Sequence, residues 1–482
     1  MPQSKVFKGV VWASVQRFGT MIISFVTNIV LARLLTPDDF GTIGMLLLFL
    51  AIANTFVDSG FGSALIQKKD ATQTDFSTVF YINLGLSLVV YAILFFGAPW
   101  VARFYDVDIL RPLLRAQGLV LILHAFSIIQ TAILRKKMDF CKLSICNLIG
   151  NIVGSIVGIG AALMDYGVWS LVIRTLTVGL VTSLLLWFIG NWKPLLVFSK
   201  QSFKELFGFG GFMLLSSLLA SFANNVQTLI IGKFFQQGTL GHYTQARQLR
   251  SIASDSISSV ITQVLYPDFS NNQNDDKTLS SRLDFSVLTI SFLTVAIMAT
   301  CIVIAKPLIL LLYGEKWIDC VPYFQLLCVG GCFVSLQDVN INLVAAKGKS
   351  KTLFFCNLCK IVVFCFLMVA GSKIGGIYGL LISMIVYALI AFLVFAALSN
   401  HYLKSSIWGQ LWGICQCLLL AFVPMAVTYL LSQKFFLLDL PNIVQIVLGV
   451  VVFGVIYITI ALVTKNKALK YLLGMLKVKK NG

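Results

Sequence analysis

Residues 9–35, GVVWASVQRFGTMIISFVTNIVLARLL, and residues 214–235, LLSSLLASFANNVQTLIIGKFF, are apolar enough to cross a membrane, and both are interrupted by a polar stripe. Arg17, Ser24 and Asn28 of the first stretch match Ser217, Asn224 and Thr228 of the second at a constant offset of 200. At 100° per residue, steps of seven and eleven return to within ~20° of the starting direction, so each trio occupies one face of a helix. Hydrocarbon cannot hydrogen-bond such groups, and the face must turn away from lipid. Its repetition predicts two related halves around a wet interior.

The remainder of the chain fits that prediction. Of its 482 residues 58% are hydrophobic and 12% charged, with a mean hydropathy of +0.90, whereas soluble domains run near ~25% charged. The composition is that of an all-α polytopic membrane protein. Spanning segments are expected at 9–35, 41–64, 77–98, 112–134, 141–164, 167–190, 206–232, 241–268, 282–306, 321–346, 351–372, 375–399, 408–431 and 441–464. These fourteen helices are each near the ~20 residues that a bilayer requires. No loop between them is long enough for a catalytic domain.

The repeat continues beyond the stripe. Residues 30–35 and Gly41 parallel residues 230–235 and Gly241, Cys146-Asn147-Leu148 parallels Cys356-Asn357-Leu358, and Gly167-Val168-Trp169 parallels Gly376-Ile377-Tyr378. Six helices per copy bring both copies in from the same side, as parallel repeats. The expected organisation is a six-helix bundle over 1–192, a cytoplasmic interfacial linker over 193–205, a second six-helix bundle over 206–400, and two extra helices with a basic tail over 401–482.

The net charge of +18 is distributed as a membrane topology signal rather than a nucleic-acid surface. With a cytoplasmic N-terminus, inside segments carry most of the Lys and Arg, among them Arg135, Lys136, Lys137 and Lys142 and the lysines after Thr464. The bias places both termini in the cytoplasm. The eleven cysteines lie mostly in apolar segments without the spacing of a disulfide framework, and the pair Cys356 and Cys359 sits inside a helix with no partner ligands nearby. Neither a phosphate-cradling glycine loop nor an HExxH zinc motif is present, which argues against nucleotide hydrolysis and against a bound metal.

Within the spans, the cations Arg17, Arg33, Arg174, Arg247, Arg250 and Lys360 face only Asp58, Asp255 and Asp338. An ionisable residue at mid-membrane costs at least ~2.5 kcal/mol and needs a counter-charge, water or a ligand. The cation excess suits an anionic cargo. On the eighth helix, Arg250, Ser254, Arg247, Ser258, Ser251, Thr262 and Asp255 fall in that order across roughly 140°, as a cavity wall would. Arg247 and Arg250, three residues apart, could grip one phosphate, guanidinium being suited to bidentate contact. An internal pair with Asp255 or another helix's acid is the structural alternative. Arg17, Arg174 and Lys360 are candidates for the same cavity, with snorkelling or an ion pair as the alternative. Arg33 reads as interfacial. Asp58 shares a face with Asn54 and is a candidate proton or sodium carrier, or the partner of Arg17. Asp338, beside Gln337 and Asn340, is a similar candidate, and His124 on an apolar helix reads as a core histidine.

Residues 32–41, ARLLTPDDFG, with residues 57–67, VDSGFGSALIQ, resemble the opening of bacterial polysaccharide-transport (Wzx-type) flippases. So do Ile230-Ile231-Gly232-Lys233, residues 240–246 (LGHYTQA) and residues 266–270 (YPDFS). The resemblance implies the multidrug/oligosaccharidyl-lipid/polysaccharide exporter fold, two six-helix bundles in a V. It implies a transporter rather than an enzyme, in the bacterial inner membrane. The implied cargo is undecaprenyl-pyrophosphate-linked oligosaccharide for capsule, exopolysaccharide or O-antigen assembly, in partnership with membrane lipid, a polysaccharide polymerase and glycosyltransferases. No cofactor is implied, and a gradient of H+ or Na+, or the membrane potential, is the expected energy source. The family often has an acid just before the Leu-Ile-Ile-Gly turn of helix seven, where this chain has Gln227, so a coupling role for that acid does not carry over. The alternatives are a cation-coupled multidrug exporter of the same fold, whose cargo would favour acidic over basic cavity residues, and a polymerase or ligase acting on the same lipid.

Overall fold

A computed structural model describes the backbone of residues 3–58, 62, 65–66, 68, 70–190, 192–273, 275–403, 407–434 and 440–470, and their side chains except 3–6, 202–213, 255–264, 350 and 432–434. The helices, in chain order, are α1 (Gln3–Leu34), α2 (Pro37–Asp58), α3 (Gln73–Tyr105), α4 (Leu110–Lys136), α5 (Phe140–Leu163), α6 (Trp169–Ile189), α7 (Lys200–Phe234), α8 (Gln237–Asn271), α9 (Asp276–Val303), the short α10 (Ala305–Leu312), α11 (Cys320–Ala346), α12 (Ser350–Leu403), α13 (Ile407–Lys434) and α14 (Asn442–Val463).

Among the described residues, twelve helices are long and apolar enough to cross a membrane. The chain is a multi-pass membrane protein. One of the twelve, α12, has 54 residues and is two helices joined at Gly375 and Gly376, where the backbone leaves helical geometry. Helix α8 has the length to cross, 35 residues, but is the least apolar of the long helices. With α12 taken as two arms and α8 included, the helix order is compatible with the fourteen expected spans. Helix ends differ from the expected spans by several residues, as in α3, Gln73–Tyr105 against 77–98, and one span is divided: the expected ninth, 282–306, is α9 ending at Val303 and then the separate eight-residue α10. Ala305 and Ile309 of α10 are buried, so apolarity in that stretch reflects packing rather than a longer crossing.

Local chemistry sets the helix ends. Thr36 and Asp39 exchange the hydrogen bonds of a capping box, with Thr36 N donating to Asp39 Oδ2 at 2.9 Å, and Pro37 fills the first helical position of α2. Thr72 and Asp75 do the same for α3. Asp275 caps α9, and the Thr278 hydroxyl and amide together with the Lys277 amide hold its carboxyl below the usual carboxylate range. In residues 193–199 the chain is pinned by Gln73, Ser77 and Thr78, which bond the backbone of Lys193, Leu195 and Ser199. The side chains at 195–198 are left exposed.

By packing, the chain falls into two units, Met1–Gly241 and His242–Gly482. In the first, α5 lies against α6 through Gly150, Gly154 and Gly158. A Cβ on these would sit 2.1 Å from Thr182 Oγ1, 2.3 Å from Val178 Cγ2 and 2.6 Å from Arg174 Cβ. Apolar side chains gain little by leaving lipid for one another, so membrane helices associate through such close backbone approach. Helix α7 packs on α2 in the same unit, where Thr55 and Ser221 hydroxyls share a 2.6 Å hydrogen bond. The starts of α2 and α8 meet backbone to backbone. A Cβ on Gly41 would be 1.8 Å from Gln237 O, and one on Gly241 1.9 Å from Pro37 O.

The second unit centres on α9, α11, α13 and the second arm of α12, around buried Leu283, Val287, Leu336, Leu343, Phe392 and Ile414. The two arms of α12 fold back on each other, so that a Cβ on Gly371 would stand 2.0 Å from Ser383 Oγ. The repeat is visible in the backbone. Gly167, between α5 and α6, has φ +53°, and Gly376, between the arms of α12, has φ +58°. Both occupy the left-handed region that glycine alone enters freely.

Gly41→Ala and Gly241→Ala should each destabilise the purified protein by about 1–3 kcal/mol or more, since a facing carbonyl has no flexible atom to move. Gly97→Ala, where a Cβ meets nothing within 4 Å, should be neutral or mildly stabilising. Thermal unfolding in detergent measures all three.

Candidate functional site

The polar faces of α1 and α7 present themselves alike. Arg17 and Ser217 are exposed, Ser24 is half-buried while Asn224 is exposed, and Asn28 and Thr228 are buried. Thr228 Oγ1 is satisfied by Asn225 O at 2.6 Å. Both stripes therefore run from an accessible end to a packed one. The Thr55–Ser221 contact extends this surface onto α2, beside half-buried Asn54. Its sequence signal was the placement of Ser221 one turn after Ser217 on the same face.

Asp58 ends α2 with its side chain 59% exposed, and its Oδ1 is 3.6 Å from His124 Nδ1 on α4. One expectation is corrected here. His124 is not a core histidine, because its side chain is 43% exposed, and it is this imidazole that Asp58, for which Arg17 was one alternative partner, faces. The neighbours of His124 that do pack inward are Leu121 and Ala125, clustered with Ala53 and Val57. The helical face, not the apolar composition, decides which residue is buried.

Arg174 is half-buried on α6, with its stem pressed onto Gly158. Arg247 and Arg250 are half-buried on α8, and the Arg250 stem lies on Gly331 of α11, 3.5 Å from where a Cβ would stand. The Nε atoms of Arg174 and Arg250 are buried with no acceptor among the described residues. Glycine thus makes room for both cations. Ser251 is half-buried and donates to Gln248 O, and Ser254 is fully buried. The side chains of Asp255, Ser258 and Thr262 lie outside the described residues. Arg33 is exposed in the last turn of α1, as an interfacial residue would be.

Lys360 sits in the first arm of α12 with its Nζ 5.1 Å from the Phe395 ring centroid, within electrostatic reach of half-buried Asp338. The structure thereby joins one candidate cation to one candidate acid. Nearby on α11, buried Asn340 donates to Gln410 Oε1 at 3.3 Å. Gln227, which stands where the family often has an acid, is buried and donates to Asn224 O at 2.5 Å. Gln245, to which the sequence assigned no role, is fully buried with neither amide atom partnered among the described residues. A single glutamine in an apolar run gives no periodic signal, so only packing reveals it. Among the described residues no cluster of His, Cys, Asp and Glu could hold a metal ion.

A family model described as polysaccharide biosynthesis protein matches residues 30–322. The succinoglycan biosynthesis transport protein ExoT of Rhizobium meliloti (strain 1021) is 26% identical over 98% of this chain and 96% of its own length. The lipopolysaccharide biosynthesis protein WzxC of Escherichia coli (strain K12) is 25% identical over 80% and 79% respectively. In fold, the chain is similar to the lipid II flippase MurJ in its inward closed conformation, with a TM-score of 0.75 over 94% of this chain and 99% of that one at 15% identity.

A double-mutant cycle of Lys360→Met and Phe395→Leu, read by thermal unfolding, should return a coupling of about 0.5–2 kcal/mol. A coupling near zero would leave Lys360 held by Asp338 alone.

Proposed function

The chain belongs to the polysaccharide biosynthesis protein family, and from that membership we propose that it is a transporter, a flippase that moves undecaprenyl-pyrophosphate-linked oligosaccharide across the cytoplasmic membrane by alternating access. The product would feed capsule, exopolysaccharide or O-antigen assembly, where a polymerase and glycosyltransferases act on the same lipid. The observation that carries this reading is the set of cations held inside the spans. With interfacial Arg33 set aside they are Arg17, Arg174, Arg247, Arg250 and Lys360, against Asp58, Asp255, Asp284 and Asp338, and two of them, Arg174 and Arg250, present buried Nε donors without an acceptor among the described residues.

The physical problem is the pyrophosphate. Moving an ion of that size from water into hydrocarbon is prohibitive unless protein groups replace its hydration. Arg17, Arg174, Arg247, Arg250 and Lys360 supply those groups, the arginines with planar forks that match phosphate oxygens. Sugar hydroxyls exchange water for the polar atoms of Ser24, Asn28, Asn54, Ser217, Asn224, Thr228, Ser251, Ser254 and Ser258. The polyprenyl chain stays in lipid throughout. With no nucleotide motif in the sequence, the driving force is an H+ or Na+ gradient or the membrane potential. Asp58, now with His124 beside it, Asp255 and Asp338 are the places where an ion would couple. The Lys and Arg bias among loops supports cytoplasmic termini in an inner-membrane protein.

The test is transport of a fluorescent polyprenyl-pyrophosphate oligosaccharide in vesicles. Arg247→Ala with Arg250→Ala should lower the flipping rate at least about tenfold while the protein still elutes as folded, because two charge-assisted contacts are removed. Arg250→Met, which keeps the packed stem on Gly331, should lose transport without losing stability. A Met variant that transports normally, or one that unfolds by about 3–5 kcal/mol as a broken buried ion pair would, returns Arg250 to a structural role.

A further inference from the structure

Apart from the cations assigned above to cargo, the second unit contains a large cleft, about 1560 Å³, between the start of α9, the end of α12, the first half of α13 and the end of α14. That exceeds the roughly 300–1,000 Å³ of small-molecule pockets. Its chemistry changes with depth in the same sense on three helices. Along α9 the lining runs from Lys277 through Ser281 to Phe285 and Leu288. Along α13 it runs from Gln410 through Gln416 to Leu420, and from the end of α14 inward it runs from Lys467 through Thr464 to Ile460. On α9 the steps of four, four and three keep to one helical face, while Thr464 and Lys467 carry the third series past the end of α14 at Val463. A cleft that is cationic at its mouth and apolar in its depth has the polarity of an anionic amphiphile.

The mouth is positively charged in net terms. Lys277, Arg282, Lys465 and Lys467 line it against Asp276 and Asp284. Arg282 is engaged by Asp268 and Asp276 by Lys347, which leaves three lysines against Asp284. Gln410 adds a second, independent sign of a ligand. It is 2% exposed, lines the cleft, and its Nε2 has no acceptor among the described residues. Exposed Trp412 on α13 also lines the cleft, the residue type that settles at headgroup level.

We propose that this cleft is a binding site for an anionic phospholipid of the bilayer, its phosphate at Lys277, Lys465 and Lys467 and an acyl chain against Leu288, Leu420 and Ile460. All the lining cations lie at one end of the helices and none lies in the apolar depth. The site therefore holds a lipid within one leaflet, the inner one by the charge bias of the loops, and offers no stepping stones to a headgroup that must cross. A resident lipid there joins α13 and α14 to α9. The inference does not use the transport reading and fails or stands apart from it.

The experiment takes the full chain in nanodiscs of equal parts phosphatidylcholine and phosphatidylglycerol, extracts it into detergent and counts retained lipids by native mass spectrometry. Wild type should retain phosphatidylglycerol over phosphatidylcholine. The Lys277→Gln, Lys465→Gln, Lys467→Gln variant should retain about tenfold less, given that each basic residue near the surface contributes appreciably to anionic-lipid binding. The Lys8→Gln, Lys137→Gln, Lys351→Gln variant, with the same charge removed elsewhere, should match wild type. Ser281→Phe fills the passage without changing charge and should also release the lipid. Equal retention by the two triple variants, or full retention by Ser281→Phe, overturns the site. Displacement of phosphatidylglycerol by an equimolar polyprenyl phosphate overturns it in favour of the cargo lipid.

Discussion

Hydrocarbon offers no hydrogen bonds, and that single constraint organises the molecule. Backbone groups must be satisfied within the segment that carries them, which leaves helices as the means of crossing. Polar side chains must turn toward protein or water, which is why the stripes of α1 and α7 exist as stripes. The same constraint removes the usual driving force for packing, because a leucine gains little by leaving lipid for another leucine. Close approach of backbones replaces it. The ladder Gly150, Gly154, Gly158 against Thr182, Val178 and Arg174, and the Gly41 and Gly241 crossing, are its clearest forms here.

Packing of this kind also places charge. Arg174 rests on Gly158 and Arg250 on Gly331, so two guanidinium groups are held within the helical packing by stems that fit where another helix lacks a side chain. Lys360 is held differently, over the ring of Phe395 and near Asp338. A cation fixed by its stem keeps its donors for something else, whereas one fixed by an acid is partly spent. That distinction separates Arg174 and Arg250 from Lys360, which shares part of its charge with Asp338.

Much of the fold was legible in the sequence because it follows from periodicity. The spans, the repeat and the turn glycines were read from apolar runs, an offset of 200 and matched tripeptides. Gly167 and Gly376 then proved to share a left-handed backbone. What periodicity could not give was the partner of any one side chain. His124 looked like a core residue because its neighbours are apolar, yet its own face is exposed toward Asp58. Gln245 carries no pattern, and its burial depends on which helices lie beside it. The stretch after Val303 is apolar throughout, and only packing shows that it is a separate short helix.

The sequence by itself therefore determined that this is a helical, membrane-spanning, internally repeated chain with polar stripes in its spans, since those properties depend on the solvent and on spacing along one helix. Tertiary structure decided which charges pair, which glycines are contact points, that α7 packs with the helices of the first unit, and that α9, α13 and α14 enclose a cleft graded from basic to apolar. Each of these is a relation between residues far apart in the chain. It arises only when specific faces meet, and no local pattern encodes which faces those are.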